Sequence, residues 1–122
     1  MIIGIGTDII EISRIQKAVE NKSFLSKIYT KSEQQLFHNC NYETLAGNFA
    51  AKEAVVKAMG TGFKGFSPKE IEILRHESGK PYVVLHNKTK EIFDSMNGGN
   101  ISISISHSKE NAVAFAVIEA KE

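Results

Sequence analysis

The stretch Tyr42–Met59 reads YETLAGNFAAKEAVVKAM, and Gly60 follows it directly. Its many alanines and its lack of proline favour a helix of about five turns. Gly60 ends the pattern, because glycine most readily adopts the left-handed conformation that closes a helix. The larger apolar side chains share one face and alanines cover most of the rest, so we expect a largely buried central helix. That apolar face consists of Leu45, Phe49, Val56 and Met59.

The part of the chain before this helix is predicted to begin with a strand. Residues 2–12 are rich in isoleucine and include Gly4 and Gly6, a pattern typical of a buried strand that other backbone approaches closely. Short helices should follow, the last opened by a capping box between Thr30 and Glu33. Their expected ranges are 14–21 with Ser13 as the cap, 23–28, and 30 to about 38.

The part of the chain after this helix is predicted to contain mainly strands. Residues 101–106 alternate Ile and Ser without a break, which is the strongest strand pattern in the sequence. Turn residues at 78–81 predict a hairpin, and the sequence NGGN at 97–100 is expected to interrupt the chain. We therefore predict an α+β fold, a mainly antiparallel sheet packed against the long central helix, in a single domain over 1–122. The expected ranges are 71–76, 82–86, 101–106 and 111–118 for strands and 87–96 for a helix.

The composition excludes several classes of protein. The chain has 122 residues, 42% of them hydrophobic and 24% charged, with a formal net charge of +1. These values exclude a disordered or fibrous chain, and near-neutral charge argues against nucleic-acid binding. Cys40 is the only cysteine, and no apolar run is long enough to span a membrane. We therefore expect a soluble, cytoplasmic protein that binds neither nucleic acid nor a membrane.

Glu53 lies at the edge of the apolar face of the central helix, where a carboxylate requires a partner. Lys57 follows four residues later, in the favourable order for a helical ion pair. A divalent cation is the alternative partner. Spacing alone favours the ion pair and leaves the cation open.

Asp8 is a second carboxylate in an otherwise apolar strand. Two carboxylates from different elements, together with substrate phosphates, suit Mg²⁺, which takes few protein carboxylates and keeps several waters. The alternative for Asp8 is a turn or capping carboxylate that accepts backbone N–H groups. Sequence alone does not show that Asp8 and Glu53 meet.

Residues 60–65 read GTGFKG and match the pattern G-x-G-x-x-G. We reject a dinucleotide-binding fold, because that fingerprint follows a strand and opens a helix, whereas this one closes a helix. Helix-capping and turn glycines are the first explanation, and a phosphate contact through backbone N–H groups and Lys64 is the alternative.

His107 ends the Ile-Ser strand beside Ser106, Ser108 and Lys109. A histidine at a strand end is ordinarily a structural hydrogen-bonding residue, although this cluster can instead donate hydrogen bonds to a phosphate. The four histidines lack the spacing of a zinc site, and we interpret Cys40 as a bystander.

A basic segment lies between Ser13 and Ser32, with a local charge of +4 that leaves −3 on the remainder. A solvated helical face is the default interpretation, and a docking surface for an acidic partner is the alternative. Its basic residues are Arg14, Lys17, Lys22, Lys27 and Lys31.

Four segments together resemble the holo-[acyl-carrier-protein] synthase family, the small trimeric class of 4′-phosphopantetheinyl transferases. They occur in the family's order and cover essentially the whole chain. TDI near the start and AAKEA in the long helix are specific in combination. The segments are GIGTDIIEISRI (4–15), LAGNFAAKEAVVKAMGTG (45–62), SGKPYV (78–83) and ISISISHS (101–108).

The resemblance implies an enzyme that transfers phosphopantetheine from coenzyme A to a serine of apo-acyl carrier protein in fatty acid biosynthesis, releasing adenosine 3′,5′-bisphosphate. It implies that Asp8 and Glu53 bind Mg²⁺, that Glu53 and Lys57 are catalytic, and that Arg14 meets the acidic helix of the carrier protein. It leaves the general base open between Glu53 and a water held by the metal. The implied coenzyme A site consists of Lys57, Gly60, Thr61, Gly62, Ser106 and His107.

The resemblance also implies a 4′-phosphopantetheinyl transferase-like fold that assembles as a homotrimer. The site would lie between subunits, with the Asp8/Glu53 region of one facing the His107 strand of another. Many relatives have Arg where this chain has Asn48, and a guanidinium there would contact coenzyme A or a neighbouring subunit. Asn48 in place of that Arg puts one nucleotide contact in question and leaves the implied transfer reaction unchanged.

Two other functions are compatible with the residues. A non-catalytic oligomer that binds nucleotides through the glycine loop would bind coenzyme A without metal and without Glu53. A purely structural protein would use Glu53 and Lys57 as a buried ion pair, so Glu53→Gln would chiefly lower its stability.

Overall fold

The computed structural model describes residues 1–37, 41–62, 65 and 67–122. In chain order the elements are β1 (Ile2–Glu11), α1 (Ile12–Ala18), α2 (Lys22–Ile28), α3 (Lys31–Gln35), α4 (Tyr42–Met59), a 3₁₀ turn (Pro68–Glu70), β2 (Ile71–Arg75), β3 (Pro81–Leu85), α5 (Asn87–Ser95), β4 (Gly98–His107) and β5 (Asn111–Ala120). One antiparallel sheet has the order β1-β5-β4, and β2 and β3 form a separate antiparallel hairpin. The predicted α+β class with antiparallel strands is therefore confirmed.

β1 lies directly against α4, because its glycines let the two backbones approach. A Cβ atom on Gly4 would collide with the carbonyl oxygen of Ala58, and one on Gly6 would collide with that of Ala54. The two spacings match, since two strand residues advance about 6.6 Å and four helical residues about 6 Å. Asp8, two residues beyond Gly6, therefore lies beside α4 as well.

The inner face of the three-stranded sheet packs against α4 through small side chains. Alanines of β5 alternate with outward-facing residues, and both they and the alanines of the facing helix are buried. Isoleucines of β4 cover the same core from its edge. The expectation of a largely buried central helix is confirmed. The buried alanines of β5 are Ala112, Ala114 and Ala116.

The outer face of this sheet is apolar but exposed. Ile9 and Phe115 have exposed fractions of 67% and 50%, and Ile5 and Val113 lie on the same face. An exposed apolar face of this kind is typical of a surface that packs against another chain.

The expected cap of α1 at Ser13 is wrong. The helix begins at Ile12, directly after β1, and Glu11 occupies the capping position without a side-chain hydrogen bond. The N–H group of Ile12 donates instead to the carbonyl oxygen of Glu110 at 2.8 Å. Burial of Ile12 and Ile15 determines where the helix begins, which a pattern of capping residues does not reveal.

The expected break in regular structure at 97–100 is also wrong for most of that range. β4 begins at Gly98, which pairs with Ala120, and the register shifts between Gly98 and Asn100. A Cβ atom at Gly98 would collide with the ring of Phe93, so the glycine here serves close packing within a bulged strand rather than a turn.

Other local predictions are confirmed. Thr30 and Glu33 form the capping box of α3, which ends at Gln35, and residue 38 lies outside the described part of the chain. Gly60 closes α4 in the left-handed conformation with φ +75°. Among the described residues, no helix combines the length and the apolarity needed to cross a membrane.

Candidate active site

Asp8, Glu53 and Lys57 converge where β1 meets α4. The Nζ atom of Lys57 donates to Oδ1 of Asp8 at 3.2 Å and to the carbonyl oxygen of Thr7 at 3.0 Å. Glu53 lies one turn before Lys57 on the same helix and interacts electrostatically with both Asp8 and Lys57. The close β1–α4 contact thus brings together residues that are 45 or more positions apart in the chain.

The ion pair between Glu53 and Lys57 that spacing favoured is not the pair that forms. Lys57 pairs with Asp8, whose side chain is 17% exposed, while that of Lys57 is 54% exposed. The strand lies close enough to α4 to offer a second carboxylate, and helical spacing alone does not reveal that competitor.

The two carboxylates influence each other electrostatically. Burial, and then the negative charge of Asp8, raise the pKa of Glu53 above its ordinary value, and Lys57 only partly opposes the rise. A carboxylate in this setting lacks compensating positive charge. It is suited to bind a cation or to accept a proton.

The residues present fit Mg²⁺ bound partly by substrate. Among the described residues there is no group of three or more His, Cys, Asp or Glu side chains that could hold a metal. Mg²⁺ characteristically uses one or two carboxylates and completes its shell with phosphates and waters. Asp8 and Glu53 match that smaller requirement.

The loop after α4 brings backbone groups to the end of the same helix. Gly60 and Gly62 adopt positive φ values of +75° and +63°, and a Cβ atom at either would meet open space. Backbone conformation is therefore the reason for both glycines, in agreement with the turn interpretation. Thr61 is half-buried between them, and Lys64 lies outside the described residues.

Ser106 and His107 lie elsewhere, at the end of β4. They line a cavity of about 300 Å³ together with Ile9, Asn111 and Val113, among others. Ser106 pairs across the sheet with Val113, which pairs with Ile9, so these three share the outer face. Asp8 pairs with Ala114 and faces α4, so the sheet separates Asp8 from Ser106 within one chain. His107 pairs with the buried Ala112 and therefore lies on the same sheet face as Asp8, at the exposed end of β4.

The basic segment is solvent-facing. Arg14 is exposed on α1 and forms no ion pair with any residue of the described ranges. This position leaves both interpretations open, a solvated face or a docking surface for an acidic partner.

Asn48 is fully buried, and its amide is used within the chain. Its Nδ2 donates to Oε2 of Glu33 at 3.1 Å and to the carbonyl oxygen of Ile73 at 3.0 Å, and its Oδ1 accepts from Arg75 at 2.7 Å. An arginine at 48 would add a positive charge beside Arg75 and one turn from Lys52, so a neutral amide suits this environment.

Sequence reasoning missed a buried polar network on the side of α4 that faces α3 and β2. Lys52 is buried and donates to Oε1 of Glu33 at 2.7 Å and to the carbonyl oxygens of Pro68 and Ile71 at 3.0 and 2.6 Å. One signal was present, since residues 48, 52, 55 and 59 fall on one helical face and two of them are polar.

Comparisons with known proteins identify the family of this chain. The family model described as "ACPS: 4′-phosphopantetheinyl transferase superfamily" matches residues 4–116. A holo-[acyl-carrier-protein] synthase of Clostridium perfringens is 53% identical over 128 residues, covering 99% of this chain and 96% of that protein. The chain belongs to the 4′-phosphopantetheinyl transferase superfamily. Within it, the predicted resemblance to holo-[acyl-carrier-protein] synthases is confirmed.

Solved structures of similar proteins include ligand complexes. A holo-(acyl-carrier-protein) synthase from Bacillus anthracis, in complex with CoA (3′,5′-ADP), is 38% identical with a TM-score of 0.82 and 99% coverage of each chain. The Helicobacter pylori enzyme in complex with coenzyme A is 35% identical with a TM-score of 0.84, covering 94% of this chain and 99% of that one. These similarities confirm the predicted 4′-phosphopantetheinyl transferase-like fold.

Proposed function

We propose that this chain transfers the 4′-phosphopantetheine group of coenzyme A to a serine of apo-acyl carrier protein, giving the holo-protein and adenosine 3′,5′-bisphosphate. The observation that carries the proposal is the convergence of Asp8, Glu53 and Lys57 at the β1–α4 contact, in a chain of this superfamily. A role in fatty acid biosynthesis, a cytoplasmic location and a single domain over residues 1–122 belong to the same proposal.

The chemistry joins the serine oxygen to the β-phosphorus of coenzyme A and breaks the bond from that phosphorus to the oxygen of the leaving adenosine bisphosphate. Such a transfer depends on positioning and on neutralising charge. Mg²⁺ held by Asp8 and Glu53 would supply positive charge beside the pyrophosphate oxygens. Lys57 donates hydrogen bonds to phosphate oxygens and stabilises the charge on the leaving group.

The serine must lose its proton during the attack. Glu53 is the candidate acceptor among the converging residues, because its raised pKa makes it a stronger base than an ordinary glutamate. A water molecule near the carboxylates is the alternative acceptor.

The coenzyme A site is proposed to lie between subunits of a homotrimer. Gly60, Thr61 and Gly62 would meet the nucleotide from one subunit, and Ser106 and His107 from its neighbour. Two features support this arrangement: the exposed apolar outer face, and the separation of Asp8 from Ser106 by the sheet. Burial of Ile9 and Phe115 against another copy would remove their apolar area from water.

The acyl carrier protein is proposed to dock on the basic segment, with Arg14 meeting its acidic helix. The support is the exposure of Arg14 and the absence of an ion pair to it within the described ranges. Complementary charge speeds encounter and orients the partner. Charge reversal at Arg14 should then weaken carrier engagement more than coenzyme A binding.

The test is the intact mass of an apo-acyl carrier protein incubated with the protein, coenzyme A and Mg²⁺. We expect the mass of one phosphopantetheine group to be added, and both Glu53→Gln and Lys57→Met to slow the reaction by about 10²-fold or more. Lys90→Met is the matched control, because Lys90 forms an exposed pair with Asp94 on α5 and should leave the rate unchanged.

A carrier that gains no mass with Mg²⁺ or Mn²⁺ would contradict the proposal. If coenzyme A still binds in that case, and binds Glu53→Gln equally well without metal, the non-catalytic nucleotide-binding oligomer becomes the better description.

A further inference from the structure

The ion pair between Lys57 and Asp8 conflicts with the roles proposed for both residues. The ammonium group of Lys57 contacts Oδ1 of Asp8 at 3.2 Å. In the proposed reaction Asp8 faces a divalent cation and Lys57 faces a phosphate. An ammonium and a divalent cation on the same carboxylate repel each other strongly. The two cations therefore compete for Asp8.

Lys57 is the partner that can move. Its side chain is 54% exposed, and among the described residues its Nζ atom donates hydrogen bonds only to Asp8 and to the carbonyl oxygen of Thr7. A lysine has a flexible four-carbon stem that can carry the charge several ångströms without moving the helix. Asp8, by contrast, is largely enclosed beside α4 and belongs to a paired strand.

The neighbouring carboxylate makes the exchange favourable. Glu53 and Asp8 bring two negative charges together, and Lys57 partly offsets them. A divalent cation compensates both carboxylates more completely than one ammonium does. It also releases Lys57 beside the loop that begins at Gly60, three residues later on the same helix.

We infer that Lys57 is an exchangeable internal cation, which holds Asp8 while no divalent cation is bound and moves to a phosphate of the nucleotide when one binds. The inference rests on the proposed function for the identity of the nucleotide. Its consequence is coupling, because the metal frees the lysine that the nucleotide needs. By reciprocity, the nucleotide draws Lys57 away from Asp8 and so favours metal binding.

The first experiment measures the Kd of adenosine 3′,5′-bisphosphate by calorimetry, with and without Mg²⁺. Without metal, Lys57→Met should change the Kd by less than about twofold, because Lys57 is occupied by Asp8. With Mg²⁺ the same variant should weaken binding by about tenfold. Lys90→Met is the control and should change neither value. An equal loss with and without Mg²⁺ would overturn the inference.

A double-mutant cycle separates release of Lys57 from simple loss of negative charge. Asp8→Asn should tighten metal-free binding by about three- to fivefold, because Lys57 is then free to reach a phosphate. In Asp8→Asn/Lys57→Met this gain should disappear. A gain that persists in the double variant would show that charge removal alone causes it, and would also overturn the inference.

The second experiment needs no nucleotide. Lysine ammonium groups held in ion pairs can be followed by ¹H–¹⁵N NMR, and the Lys57 signal is assigned by its loss in Lys57→Met. Adding Mg²⁺ should shift this signal in a saturable way while the Lys90 signal stays in place. A Lys57 signal that does not respond to saturating Mg²⁺ would contradict the exchange. If the wild-type protein binds no nucleotide, the proposed function fails, and this titration still decides the exchange.

Discussion

Lys52 and Glu33 form a charged pair in the interior, with exposed fractions of 1% and 0%. Burial lowers the pKa of Lys52 and raises that of Glu33, and the attraction between the two charges opposes both shifts. Lys52 also donates to two backbone carbonyl oxygens, and Asn48 and Thr30 donate to Glu33. The pair therefore ties α3 and the start of β2 to the central helix.

Removing only one partner of this pair should be costly. Lys52→Met leaves the Glu33 carboxylate buried without its cation and should lower the free energy of unfolding by about 3–5 kcal/mol. Lys52→Met/Glu33→Gln should recover a substantial part of that loss, because no buried charge remains. Urea unfolding followed by circular dichroism measures both effects.

Lys90→Met provides the control for this comparison, since it breaks an exposed pair with an N···O distance of 3.0 Å, against 2.7 Å in the buried pair. Its effect should stay within about 0.5 kcal/mol. A Lys52→Met variant as stable as this control would show that the buried pair contributes nothing to folding.

At the scale of elements, the strands of the β2–β3 hairpin are not hydrogen-bonded to the three-stranded sheet. Side chains therefore attach the hairpin to the rest of the fold. Glu72 of β2 accepts a hydrogen bond from Thr30 Oγ1 at 2.5 Å and pairs with His86 at 3.0 Å. Burial alone would raise the pKa of Glu72, but the hydrogen bonds from Thr30 and His86, with nearby positive charge, hold it below its ordinary value.

This lowered pKa predicts a defined pH dependence. The ionised form of Glu72 stabilises the fold fully above its ordinary pKa of 4.5, and the contribution is lost as the pH falls through the lower folded-state pKa. Glu72→Gln lacks the contribution at every pH. The gap in Tm between wild type and Glu72→Gln should therefore narrow as the pH falls below about 4.5. A gap that is constant from pH 3 to 7 would contradict this assignment.

At the scale of the whole molecule, the three-stranded sheet has one face that packs on α4 and one that is exposed. Asp8 and Glu53 belong to the side where the sheet packs on α4, whereas Ser106 shares the outer face with the exposed Ile9 and Val113. The sheet therefore separates Asp8 from Ser106 within one chain, whereas His107, at the end of β4, pairs with Ala112 on the same face as Asp8. Packing of the apolar outer face against neighbouring copies would join complementary halves, which is the assembly proposed above.

Subunit complementation tests that assembly. Asp8→Asn and His107→Ala should each be nearly inactive as pure proteins, because each lacks one half of every site. When the two are unfolded, mixed in equal amounts and refolded, random trimers should regain about a quarter of wild-type activity, since one site in four receives both intact halves. The carrier mass assay measures the recovery.

Two outcomes would contradict the proposed assembly. Activity that stays at the level of the pure variants after mixing would indicate that both halves act within one chain. Phe115→Lys, placed on the exposed outer face, should give a folded monomer by light scattering. A trimer that survives this substitution would place its interface elsewhere.

The sequence by itself determined the central helix and its glycine end, the Ile-Ser strand, the capping box at Thr30 and the family, because each depends on local pattern or on a motif that survives in order along the chain. It also selected Asp8, Glu53 and Lys57. Only the tertiary structure decided which of them pair, because the glycines of β1 bring that strand against α4 and supply Lys57 with Asp8 as a competing partner. It likewise revealed the buried Lys52–Glu33 pair and the separation of Asp8 from Ser106 by the sheet, which depend on burial and on sheet faces rather than on spacing along the chain.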